Sequence, residues 1–361
     1  MGIQFEIGLD PRCLLRFGSS TWLHELGVRG RPLLLSRGRD CLYVITKMLN
    51  LQPGDGILLP AFICAAVTDL IQDWGFEVAL YGIERDLSVS LDQVKACINQ
   101  RVKAIVYVNY FGYPQPASMV SGLRELGLPL IEDSCQSPFA LGEREVEPDF
   151  AFTSLRKWLP VPDGAVLDVL GDAWQEDAAQ IERRMPVNRN LVIWRTMACS
   201  VRRCQEHHDR RMLSIVAQEL FAMAERALRS RMEPNRMSLF SKHIAARCDI
   251  TQTRRRRYEN HTTLISNLGG LHNIKLVLSS LPETGCPYGC PILVPNNRLW
   301  RDALRERGTQ AAILWDCSHH WGDFPESQWL AQHLLVLPVA QTNTTDEMRQ
   351  VCAVLREYDG D

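Results

Sequence analysis

Two short stretches carry side chains that could do chemistry together. Ile131-Glu132-Asp133 and Ser154-Leu155-Arg156-Lys157 each follow a brief apolar run that reads as a buried strand. An amine becomes a carbonyl-capturing nucleophile when burial or a nearby cation lowers its pKa. Lys157 has Arg156 beside it, and Trp158 and Leu159 after it would help exclude water. A carboxylate at the end of a buried strand is costly without a cationic partner. For Asp133 that partner could be a protonated ring nitrogen, such as the pyridine of pyridoxal phosphate. The pair then reads as a Schiff-base lysine and the carboxylate serving its cofactor. Gln136 could hydrogen-bond the ring oxygen of such a cofactor. The bland readings are a surface lysine, a helix-capping aspartate and a capping-box glutamine.

A cofactor phosphate would need an anion cradle. Ser36-Arg37-Gly38-Arg39-Asp40 opens a helix, and backbone N–H groups at a helix start attract anions. Thr153 and Ser154 add hydroxyls near Lys157. Ser154-x-x-Lys157 also matches the nucleophile motif of penicillin-binding enzymes, but the Lys-Thr-Gly element that reading needs is missing from the chain. Cys286-Pro-Tyr-Gly-Cys290 is the one close cysteine pair among twelve cysteines. No further ligands flank it at zinc spacing, so no metal is expected.

The elements that must position these residues alternate. Apolar runs at Ile57–Leu59, Val78–Tyr81, Ala104–Val108, Leu128–Ile131, Phe150–Phe152 and Ala165–Leu167 read as strands. Between them, Ala61–Trp74, Leu91–Ile98 and Met119–Leu126 have helical spacing. This predicts an α/β fold with a mostly parallel central sheet and helices on both faces, where ligands sit at the carboxyl ends of the strands. Residues 172–243 read as a long helical segment rich in arginine, and Arg254–Arg257 is a run of four. Solvated helix surface or dimer salt bridges is the favoured reading of these arginines. Cys290–Val294, Asn297–Gly308, Leu334–Pro338 and Thr345–Tyr358 predict a smaller α+β unit, with Thr345 as N-cap of the last helix. The expected division is a large cofactor-binding domain over 1–240, with its core sheet in 36–170, and a small C-terminal domain over 241–361.

The chain has 361 residues, 46% hydrophobic and 23% charged, with net charge -2. That balance gives no broad basic footprint for nucleic acid. No apolar run reaches the roughly 18 residues that span a bilayer. Met1–Phe17 lacks a signal-peptide core, and Glu6 stands where a myristoylation signal wants Ser or Thr, so a cytoplasmic location is expected.

Several segments resemble, in order, motifs of the DegT/DnrJ/EryC1/StrS aminotransferases, within the fold-type I pyridoxal phosphate enzymes. They are Gly38-Arg39-Asp40-Cys41-Leu42, Gly54–Pro60, Arg101–Val106, Tyr110–Pro114, Ile131–Gln136 and Ser154–Gly164, with Leu335–Val339 late in the chain. The resemblance implies that Lys157 holds pyridoxal 5'-phosphate, Asp133 pairs with its ring nitrogen and Gln136 contacts its ring hydroxyl. Gly38, Arg39 and Ser154 would bind the phosphate, and Phe62 would stack on the ring. It further implies amino transfer, usually from glutamate, to a nucleotide-linked keto sugar, by a homodimer with a shared active site. The chain departs from the family pattern where Phe152 replaces a serine five residues before the lysine. Asn109 or Tyr110 replaces a histidine, and Pro160-Val161-Pro162-Asp163-Gly164 follows the lysine. The alternatives are elimination or carbon–carbon bond formation with the same cofactor, or a non-catalytic aminotransferase-like partner. Sugar dehydratases of this fold carry histidine in place of the lysine, so Lys157 speaks against that branch.

Overall fold

The computed structural model describes residues 18, 21–136, 144–207, 211–229, 233–278, 280–281, 285–315 and 324–360. Glu6, Asp10, Cys13, Arg210 and Cys317 lie outside the described residues. The chain first runs α1 (Trp22–Glu25), β1 (Arg31–Leu35), α2 (Gly38–Met48), β2 (Gly56–Pro60), α3 (Ala65–Asp73), β3 (Glu77–Tyr81), α4 (Leu91–Cys97), β4 (Val102–Val108), α5 (Ala117–Arg124), β5 (Leu130–Asp133), β6 (Phe150–Ser154) and β7 (Ala165–Val169). Then follow α6 (Gln175–Arg184), α7 (Arg189–His207), α8 (Arg211–Arg229), α9 (Leu239–Ala245), α10 (Ile250–Leu268), β8 (Lys275–Leu276), β9 (Gly289–Leu293), α11 (Asn297–Glu306), α12 (Pro325–His333), β10 (Leu334–Pro338) and α13 (Thr345–Gly360).

Seven strands form one sheet in the order β1-β7-β6-β5-β4-β2-β3. The pairs β2–β3, β2–β4, β4–β5 and β5–β6 are parallel, and β7 runs antiparallel between β6 and β1. Every residue of β2, β5, β6 and β7 is buried, which is why the apolar residues in these strands follow one another without alternation. A second, antiparallel sheet has the order β10-β9-β8, with its own apolar cluster including Ile292, Leu335, Leu337, Met348 and Leu355.

Two boundaries differ from the sequence reading for local reasons. Ala61–Cys64 is not helix: Ala61 N–H still donates to Tyr81 O at 2.8 Å, extending the sheet contact, and α3 starts at Ala65. The cap of α13 is Thr344, not Thr345. Thr344 Oγ1 accepts from Glu347 N at 3.2 Å, and Glu347 Oε2 accepts from Thr344 N at 2.7 Å, a reciprocal capping box.

The arginine-rich stretch forms α6 and the hairpin α7–α8. Its arginines do more than face solvent. Arg195 pairs with Glu225 at 3.6 Å and, with Arg202, lies over the Phe221 ring. In the later run of four, Arg255 and Arg256 are exposed beside Glu259, as expected. Arg257 is buried.

Candidate active site

Parallel pairing brings the two sequence-predicted groups to one sheet edge. Asp133 ends β5 opposite Phe152 of β6, and β6 runs on into a 3-10 turn, Leu155–Lys157. The turn forms because Leu155, Trp158 and Leu159 are buried, while Arg156 and Lys157 are only partly so. Trp158 N–H and Leu159 N–H both donate back to Leu155 O, at 2.9 and 2.8 Å. Behind it, Asp163 is wholly buried and accepts from Ser238 N at 2.9 Å, from Ser238 Oγ at 2.6 Å and from Ser241 Oγ. Gly164 has φ +143°, and a Cβ there would meet Met237 Cε at 2.9 Å, so only glycine fits. The Pro160–Gly164 segment is thus a rigid backing for the lysine turn.

Asp133 and Lys157 sense each other's charge. Burial holds the Asp133 carboxyl above the usual carboxylate range, opposed by the Lys157 ammonium and the Cys135 N–H, which donates to Asp133 Oδ1 at 2.8 Å. Burial would also lower the Lys157 pKa, but Cys135, Tyr288, Asp133 and Cys64 outweigh it and hold it above the ordinary value. This differs from the expectation of an amine made nucleophilic by burial and Arg156. The Arg156 charge acts instead on Cys135 and within a cationic cluster.

That cluster is the cationic end of the site. Gly38 opens α2, whose start has no side-chain cap. A Cβ on Gly38 would come within 2.8 Å of Cys135 Sγ, so the helix start is pressed against the Asp133 loop. Burial, then Arg195, lowers the Arg156 pKa to about 9, with Arg39 and Arg37 adding to the effect. Burial and Arg37 lower Arg39 likewise. Arg37 is satisfied by Asp40, its Nε lying 3.1 and 3.0 Å from the two carboxylate oxygens. Among the described residues Arg156 Nε is buried with no hydrogen-bond partner. Ser154 ends β6 on this side, whereas the Thr153 hydroxyl donates to Ser134 O at 3.0 Å and is used there.

Gln136 is buried, and its Oε1 accepts from Phe111 N at 3.0 Å. Phe111 (φ 55°) and Gly112 (φ 104°) form a turn on which Tyr288 sits, with Tyr288 N–H donating to Phe111 O at 2.9 Å. The Tyr288 ring centre lies 5.6 Å from Lys157 Nζ. Phe62 is 0% exposed, its ring edge-on to Trp315 at 4.9 Å and tilted against Tyr110 at 6.0 Å. Half-buried Cys64 is coupled electrostatically to both Lys157 and Arg39. Sequence reading missed Cys64, Cys135, Tyr288 and Arg257. Tyr288 lies inside the Cys286–Cys290 segment, which drew attention only as a possible metal motif.

The fold with this strand order, and a lysine and an aspartate at adjacent strand ends, is that of the fold-type I α/β enzymes. Residues 33–143 match the DegT/DnrJ/EryC1/StrS aminotransferase family. The dTDP-4-dehydro-2,3,6-trideoxy-D-glucose 4-aminotransferase of Saccharopolyspora spinosa is 33% identical over 131 residues, 36% of this chain and 34% of that protein. The GDP-4-keto-6-deoxy-D-mannose 3-dehydratase of Yersinia pseudotuberculosis is 29% identical over 94 residues, 26% of this chain and 24% of that one. The matches thus span only about a third or less of these two relatives. A putative sugar aminotransferase from Streptococcus pneumoniae, solved in its PLP form, has the same fold, with a TM-score of 0.72 and 12% identity over 100% of this chain and 99% of that one.

Proposed function

We propose that this protein is a pyridoxal phosphate-dependent aminotransferase that moves an amino group, from glutamate, to a keto sugar carried on a nucleotide. The observation that carries this reading is the charge order along the strand ends. A carboxylate, an amine and a cationic helix start follow one another, and these complement a ring nitrogen, a carbonyl and a phosphate. The residues fit the cofactor on that ground. Asp133 would pair with the ring nitrogen, and Gln136 would reach the ring hydroxyl. Gly38, Arg39, Ser154 and Arg156 would hold the phosphate, with charge-assisted hydrogen bonds from the guanidinium groups. Phe62 would serve the aromatic side of the cofactor pocket together with its neighbours Trp315 and Tyr110.

When bound, the cofactor supplies a carbonyl that captures amines and a ring that accepts an electron pair. The protein's own residues do the rest. Asp133 contributes to the charge that keeps the Lys157 ammonium protonated. A cation facing Asp133 would cancel that contribution, making the neutral amine easier to form. Lys157 Nζ then takes a proton from one carbon and returns it to another. Trp158 and Tyr288 pack beside the lysine turn and restrict water there. We further read residues 1–240 as the cofactor-binding domain, residues 241–361 as the smaller domain beside it, and the working form as a cytoplasmic homodimer. Among the described residues no helix is long and apolar enough to cross a membrane.

The test is spectroscopic. Added pyridoxal phosphate should give a visible band in the wild type and none in Lys157→Ala, and borohydride should fix the label on Lys157. An unchanged spectrum in Lys157→Ala would sink the assignment. Release of 2-oxoglutarate from glutamate, with nucleotide-linked keto sugars against non-sugar ketones, then checks reaction and substrate class.

A further inference from the structure

Arg257 lies on α10, 100 residues from Lys157, yet its side chain ends against the lysine turn. It is 1% exposed. Its Nη2 donates to Lys157 O at 3.4 Å, and its Nη1 to Pro287 O and Tyr288 O, both at 3.2 Å. Its Nε donates to Gln341 Oε1 at 2.8 Å, and Gln341 Nε2 donates in turn to Trp158 O at 2.8 Å. The guanidinium also lies 4.6 Å from the centre of the Trp158 ring. Three separate segments, Lys157–Trp158, Pro287–Tyr288 and Gln341, therefore meet on one planar cation.

An interior arginine normally faces a carboxylate, because an unpaired buried charge is expensive. Among the described residues Arg257 has none, and backbone carbonyls and one amide take its donors instead. Those carbonyls belong to the residue carrying the amine and to the residue whose ring lies over that amine. We propose that Arg257 is a positioning residue: it fixes the Lys157 turn and the Tyr288 ring as one unit, and so sets where Nζ points relative to Asp133. The arrangement is planar and multidentate, which lysine or glutamine cannot reproduce. Burial lowers the Arg257 pKa, in keeping with a charge placed for geometry rather than for pairing. The groups that act on Lys157 from the elements packed around it are Asp133, Cys135, Tyr288 and Cys64. Loss of the Arg257 contacts would release Tyr288 from that set.

This inference rests on Lys157 being the reactive amine of the proposed function, and its test separates the two. In the full-length protein without cofactor, reductive methylation with labelled formaldehyde gives each lysine a titrating signal, and Lys157→Arg identifies that of Lys157. In Arg257→Gln the Lys157 signal should titrate at a pH displaced from that of the wild type. With cofactor and substrates, kcat should fall on the order of a hundredfold while KM stays within about twofold, the size expected of a misplaced reacting group. Arg257→Lys should recover part of both effects. Where Arg257→Gln does not fold, Gln341→Ala carries the test, and a smaller displacement in the same direction is expected. A lowered melting temperature with an unmoved Lys157 titration and unchanged kcat would overturn the proposal. Absence of any cofactor band in wild type would refute the proposed function, while the labelling result would still decide the role of Arg257.

Discussion

Asp163 and Arg156 flank the same loop, and the fold treats their charges in opposite ways. Asp163 is sealed and saturated by one N–H and two hydroxyls from the start of α9. Arg156 has a buried Nε with no hydrogen-bond partner among the described residues and senses Arg195, Arg39 and Arg37 together with Glu225. A similar contrast holds at the start of α2, where Arg37 is ion-paired with Asp40 while Arg39, among the described residues, forms no such ion pair. Saturated buried charges tie the frame together. An unsaturated one is a cost that the folded protein bears alone and a bound anion would offset. On the proposed function, the difference would separate the residues that build the site from those that serve a ligand.

Breaking the frame should cost the most. Asp163→Ala orphans the Ser238 N–H and two hydroxyls, and about 3–5 kcal/mol of unfolding free energy should vanish in urea titrations. A loss under about 1 kcal/mol would erase the contrast. Next comes His261, buried at the frame's other side, with Nε2 2.7 Å from the Tyr113 hydroxyl. Burial lowers its pKa from 6.5 to about 4. Between those values the unfolded chain binds a proton that the folded one refuses, so stability rises with pH across that window. Roughly 3 kcal/mol should disappear as pH falls from about 7 to about 4. His261→Asn should remove this dependence while leaving other acid-sensitive groups in place, which unfolding curves at pH 4.5 and 7 would reveal.

The ligand-serving side should respond with the opposite sign. Arg156→Met removes a partly buried cation whose Nε has no hydrogen-bond partner among the described residues, and should raise stability by about 1 kcal/mol. The same variant should bind pyridoxal phosphate about tenfold more weakly, with unphosphorylated pyridoxal unaffected. Destabilisation together with equal weakening toward both compounds would show that Arg156 belongs to the frame after all.

Much of this was readable beforehand. The apolar runs marked the core strands because strands buried on both faces need apolar side chains throughout. Asp133 and Lys157 stood out because ionisable groups at the exits of such strands are unusual. The helix boundaries shifted by a few residues, and Ala61–Cys64 was misread because its buried apolar residues fit a helix or a sheet-end loop equally well. The Phe111–Gly112 turn, with two residues of positive φ, gave a weaker signal.

The sequence by itself determined which residue types could do the chemistry and which strands would carry them, since both follow from local pattern. It could not say which member of Arg254–Arg257 turns inward. Successive helix residues point about 100° apart, so a run of four offers cations to every side. Only the packing of α10 against the Lys157 turn and the Tyr288 segment chose Arg257 and left Arg255 and Arg256 beside Glu259 in solvent. Proximity across 100 residues is a property of the closed fold, and the surroundings of the amine were decided there.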